Sequence, residues 1–156
     1  MKMRTIQVSA LALVFAMALP AIMTAQLPSK YHTPGAAAKI DVTRLCSAEF
    51  ARSIKPIANW QKDDVLTRYG IRPESFDGTL DHLIPVSLGG TNDPDNVYPF
   101  HASGEFTVDG KNQLGERLHQ LVCDGRLSLK DAQNAVKKDW TRAYKQYVQA
   151  SNAPGL

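Results

Sequence analysis

Cysteine is scarce in this chain: its 156 residues contain two, Cys46 and Cys123. Two are too few for a small disulfide scaffold or for a four-cysteine zinc module. Excess charge is almost as sparse. Eighteen Lys and Arg stand against fifteen Asp and Glu, a formal net charge of +3, so gross basicity carries little weight for a nucleic-acid partner. Internal repeats are absent, and after residue 25 no apolar stretch is long enough to span a bilayer. What is present is ordinary: 44% hydrophobic and 21% charged residues, the composition of a folded chain rather than a disordered one. The length fits one domain and excludes multidomain machinery.

The first 25 residues have the pattern of a secretory signal peptide. Lys2 and Arg4 form a positive start, Ile6 to Leu19 is mainly apolar, Pro20 breaks the run, and small residues follow at Ala21, Thr24 and Ala25. The apolar run of 14 residues falls short of the roughly 20 that a membrane-spanning helix needs. No cysteine follows it closely, which argues against a lipid anchor. Removal after Ala25 would leave 16 positive and 15 negative side chains and no membrane anchor. Export places the chain in an oxidising compartment, where Cys46 and Cys123 are expected to pair. The alternative is two separately buried thiols.

Residues 26–40 carry Pro28, Pro34, Gly35 and an alanine run and read as a flexible leader. A short helix is expected around Ser47–Ser53. A second is expected over Trp60–Tyr69, with Asn59 as its cap, Gly70 as its stop, and Trp60, Val65, Leu66 and Tyr69 as its apolar contacts. Phe76 to Pro85 reads as β-type, interrupted at Asp77-Gly78, and Asn96 to Phe100 as a second strand. Turn formers fill Leu88 to Pro94, and a further loop covers His101 to Gly110. Lys111 to Cys123 has Leu114, Leu118, Leu121 and Val122 on one helical face, with Gly115 inside it. Ser128 caps a last helix to about Val148, with Trp140 among its core contacts.

The chemistry-bearing stretch is Asp81-His82-Leu83-Ile84-Pro85, then Leu88-Gly89-Gly90 and Asn96, followed by a helix opening with Lys111-Asn112. Neighbouring side chains on a strand point to opposite faces, so Asp81 and His82 serve one site only at a strand end or bulge. A carboxylate suits Mg²⁺ or Mn²⁺. A histidine can take a proton from water near neutral pH. Asn112, in the first turn of a helix, can offer an amide oxygen to the same cation.

These residues resemble the HNH (ββα-metal) nuclease motif. His82 and Asn96 are 14 positions apart, the spacing of that family's β-hairpin. Asp-His followed by Lys-Asn is similar to the HNH domain of CRISPR effector nucleases. The wider block from Cys46 to Tyr147, with Arg117-Leu118-His119 and Asp139-Trp140, resembles small exported bacterial HNH endonuclease-like proteins. The resemblance implies an α+β fold over residues 41–150, a ββα-metal core with flanking helices. It makes His82 the general base, Asp81 and Asn112 the ligands of one divalent cation, Mg²⁺ or Mn²⁺, and Asn96 the residue that pins the hairpin loop and so orients His82.

The chain departs from the commoner motif, which has two helix histidines at i and i+4. Here those positions are Asn112 and Glu116. Glu116 is either a further ligand or a solvated charge, and His119 a ligand or a packed histidine. His101 is either a phosphate contact or a surface residue, and Lys111 either stabilises developing phosphate charge or is solvated. The zinc-binding cysteine pairs of many HNH domains are missing. Residues 26–110 carry 8 positive and 11 negative charges, and residues 111–156 carry 8 and 4, which is either a phosphate-contacting basic face beside the proposed site or ordinary helix-surface charge. The expected function is a secreted or periplasmic nuclease acting on DNA, and on RNA as a second possibility, with little sequence specificity. The alternative is an exported binding or structural domain that keeps the fold without catalysis.

Overall fold

The structure, a computed structural model, describes residues 27–102 and 104–150; the expected signal peptide lies outside them. The chain is α+β, with helices around one antiparallel hairpin. Three helices come first: α1 (Val42–Leu45), α2 (Ala48–Ser53) and α3 (Asn59–Arg68). Ser47 caps α2, its hydroxyl accepting from the Phe50 N–H at 3.1 Å. Ala58, not Asn59, precedes the first turn of α3, and its N–H is taken up by Gln61 Oε1 at 2.9 Å.

Strands β1 (Thr79–His82) and β2 (Val97–Phe100) pair with Asp81 opposite Tyr98 and His82 opposite Val97. β1 is shorter than the β-type segment read from the sequence, because residues 76–78 stay outside the ladder and the chain leaves it after His82. Pro99 is accommodated because each strand of a two-stranded sheet has a free edge. Two long helices follow, α4 (Val108–Cys123) and α5 (Leu129–Tyr144). α4 starts three residues before the expected Lys111, since the Thr107 hydroxyl accepts from the Gly110 N–H at 3.0 Å.

All of β2 is buried. Leu83, Ile84, Leu88, Leu114, Leu118 and Trp140 form the main core between the hairpin, α4 and α5. Phe106 and Phe100 lie 5.6 and 5.8 Å from the Trp140 ring, centroid to centroid. α3 packs against β2 and buries Val65 and Leu66. Trp60, expected in that contact, is instead 68% exposed, because it sits in the first turn of α3, away from the buried pair.

Residues 27–40 are tied to the domain rather than hanging from it as a flexible leader. The Gly35 N–H donates to Asp95 O, Thr91 N–H to Ala36 O, and Ala38 N–H to Gly89 O. Thr33 is fully buried, with its hydroxyl 3.1 Å from Val97 O and 2.8 Å from the Tyr69 hydroxyl. Cys46 and Cys123 form a disulfide that joins the end of α1 to the end of α4. Among the described residues no helix is long and apolar enough to cross a membrane.

Candidate active site

The site begins where β1 ends. After His82 the chain turns through Pro85 and a 3₁₀ turn at Val86–Leu88. The return loop passes so close to the turn that a Cβ on Gly90 would lie 1.8 Å from Ile84 O, which only glycine avoids. Asn96 holds this crossing together. Its Oδ1 accepts from the Ile84 N–H at 2.9 Å, and its Nδ2 donates to Ile84 O at 3.0 Å and Thr91 O at 2.9 Å. The side chain is fully buried, so three otherwise unpaired groups depend on it.

Helix α4 closes on this hairpin at Gly115, where an added Cβ would meet Pro85 at 3.1 Å. That contact explains a glycine in mid-helix. Between hairpin and helix lies a cleft of about 260 Å³, lined by Asp81, His82, Lys111, Asn112 and Glu116, with Pro85 and Ser87 in its walls. Its oxygen donors, two carboxylates and one amide, match the hard-ligand chemistry of Mg²⁺ or Mn²⁺. A larger cavity of about 440 Å³ lies between the N-terminal segment and α5 and carries none of these residues.

Lys111 is 3% exposed. Its ammonium lies 2.7 Å from Asp81 Oδ2, donates to the His82 carbonyl, and sits 5.7 Å from the Tyr98 ring centroid. Burial pulls its pKa below the ordinary lysine value, and the Asp81 charge opposes that shift. Lys111, expected either to stabilise phosphate charge or to be solvated, is engaged inside the protein, bracing Asp81 and the His82 backbone. Tyr98, across the strand pair from Asp81, has its phenol pushed far above the ordinary value by burial and then by the Asp81 charge. Its hydroxyl is buried and has no hydrogen-bond partner among the described residues.

His82 Nε2 is 2.8 Å from Asn92 Oδ1. Asn92 Nδ2 in turn donates to the carbonyls of Lys55 at 3.0 Å and Pro56 at 3.1 Å. Asn92 was invisible in sequence, where an asparagine in a turn-rich stretch reads as a turn former.

His101 is exposed beyond the end of β2 and His119 faces away from the cleft. The His119 Nε2 lies 3.5 Å from both Leu45 O and Cys123 Sγ. Cys46, His119 and Cys123 are close enough together for a metal, but sulfurs joined in a disulfide offer no thiolate ligand. The basic face is also smaller than the charge count suggests. Lys111 is internal, and Lys145 lies 3.3 Å from Glu105, whose carboxyl is held below its ordinary pKa first by a Gln149 hydrogen bond and then by Lys145.

Comparison with known protein families, with curated proteins and with solved structures gives no match.

Proposed function

We propose that the chain is an exported, metal-dependent HNH-type endonuclease that hydrolyses phosphodiester bonds in DNA, and in RNA as a second substrate, with low sequence specificity. The observation that carries this reading is the meeting of Asp81, His82, Asn112 and Glu116 in one cleft between a β-hairpin and a helix. His82 takes the proton from the attacking water. Asp81, Asn112 and Glu116 would hold one Mg²⁺ or Mn²⁺, which when bound supplies Lewis-acid polarisation of the phosphate. The Lys111 ammonium fixes the Asp81 carboxylate and the His82 backbone, and Asn96 keeps the loop beneath them in register. Export rests on the signal pattern of residues 1–25 and is compatible with the disulfide.

The test is cleavage of supercoiled plasmid by protein lacking residues 1–25. Cleavage should need Mg²⁺ or Mn²⁺ and stop on chelation. His82→Ala should lower the rate by at least about a hundredfold with an unchanged far-ultraviolet spectrum. A wild type inert with every divalent cation, or an active His82→Ala, sinks the proposal.

One observation favours a second reading, a binding or structural domain with an HNH-like fold and no catalysis. The Asp81 carboxylate already has a counter-charge in Lys111, which lowers its appetite for a cation. Calorimetric titration separates the two readings. The nuclease reading expects saturable Mn²⁺ binding that Asp81→Asn abolishes; nucleic-acid binding with no cation binding favours the second.

A further inference from the structure

We infer that Asn92 is a positioning residue for His82, holding the imidazole as the Nε2–H tautomer and leaving Nδ1 as the nitrogen with the free lone pair. The inference rests on His82 serving as the base, and it names which of its nitrogens does so.

The orientation of the Asn92 amide follows from chemistry. One terminal atom lies 3.0 Å from Lys55 O and 3.1 Å from Pro56 O. Backbone carbonyls only accept, so that atom is the NH₂. The other is the amide oxygen, and it faces His82 Nε2 at 2.8 Å. An amide oxygen also only accepts, so Nε2 carries the hydrogen. A neutral imidazole has one N–H, which leaves Nδ1 unprotonated. No hydrogen-bond partner is found for Nδ1 among the described residues.

The frame behind Asn92 is itself braced. Its backbone carbonyl accepts from Gln61 Nε2 at 2.9 Å, while Gln61 Oε1 takes the Ala58 N–H at 2.9 Å. The connection between α2 and α3 therefore reaches the His82 ring through one side chain. Two asparagines divide the work expected of Asn96 alone. Asn96 contacts the backbone of Ile84 and Thr91, and Asn92 contacts the ring. A tautomer fixed by the hydrogen bond of its other nitrogen is a general device for preparing histidine as a base or ligand.

The experiment reads the ring directly. Metal-free, ¹⁵N-labelled protein is examined by heteronuclear NMR under conditions where the ring is neutral. The wild type should show a single Nε2–H tautomer whose ring proton exchanges slowly. Asn92→Leu removes every side-chain bond and should lose the slow exchange and show tautomer averaging. Asn92→Asp keeps an acceptor but no donor and should retain the Nε2–H form. In plasmid cleavage, Asn92→Leu should lower kcat by about ten- to a hundredfold with KM unchanged. A purely structural role predicts that Asn92→Asp and Asn92→Leu behave alike, since both lose the bonds to Lys55 and Pro56. That result overturns the inference, as does an Nδ1–H wild type, a measurement that needs no variant to fold. A wild type that cleaves nothing removes the nuclease reading alone, and the ring signals still decide what Asn92 does.

Discussion

A lysine with 3% of its side chain exposed stays charged only if something compensates its lost hydration. For Lys111 that is the Asp81 carboxylate, itself 18% exposed, together with the His82 carbonyl. Removing one partner of such a pair strands the other. Lys111→Met should therefore destabilise the fold by about 3 kcal/mol, and the Asp81→Leu/Lys111→Met double variant should recover most of that, because the cost lies in the uncompensated charge. Denaturant midpoints of the wild type, the single variants and the double variant close the cycle. Strictly additive losses would show that the pair is not coupled. The same residue marks where sequence reading stopped. Lys111-Asn112 was legible as chemistry beside Asp81-His82, although α4 starts at Val108 and places Asn112 past its first turn. That the lysine turns inward was not, because only the closure of α4 on Pro85 through Gly115 buries it.

Among the elements, α5 departs furthest from its sequence pattern. Its apolar spacing runs on through Ala132, Val136, Trp140 and Ala143, all buried, yet the backbone breaks at Asp139, with φ −170° and ψ 97°. Periodicity registers which side chains face the core, not whether every peptide between them is helical, so the break was hidden. Asp139 is the cap of the segment that follows. Its Oδ1 accepts from Thr141 N at 3.0 Å, Thr141 Oγ1 at 2.7 Å and Arg142 N at 3.0 Å. Burial raises the carboxyl, but these bonds together outweigh it and hold the group below the ordinary 3.8. The folded state thus prefers the ionised form. The resulting stabilisation is complete above the unfolded value and is lost as pH falls through the lower, folded one. Asp139→Ala should cost about 1–2 kcal/mol at pH 7, with the difference from wild type shrinking below about pH 4. Denaturant titrations of both proteins at neutral and acid pH measure it, and a pH-independent gap would mean the loss is packing around Trp140 rather than the cap. The hairpin and α4 were easier to read. Leu114, Leu118, Leu121 and Val122 are all buried as their spacing requires. Trp60 was misplaced because an aromatic in a first turn carries no sign of which way it faces.

At the scale of the molecule, long-range ties do what a two-stranded sheet cannot. Residues 33–38 bind the loop that carries Asn92 and Asn96, and Asn92 reaches back 36 and 37 positions to Pro56 and Lys55. No local pattern signals such partners, which is why Asp81, His82 and Asn112 could be named from sequence and the support of His82 could not. The disulfide spans 77 positions, so it restrains the unfolded chain strongly: in the chain-entropy picture by about 4–5 kcal/mol. Cys123 lies at the far end of α4 from Lys111, Asn112 and Glu116. Loss of the bridge should accordingly lower global stability without reshaping the cleft. The Cys46→Ser/Cys123→Ser protein should lose about 4 kcal/mol. Its denaturant dependence should steepen, because an unbridged chain exposes more surface when it unfolds. On the proposed metal reading, Mn²⁺ affinity measured well below the unfolding transition should stay as in the bridged protein. A comparable stability loss with an unchanged slope would place the bridge's contribution in native packing around α1 and His119. A large drop in Mn²⁺ affinity would instead mean that the cleft is held open from the opposite end of its own helix.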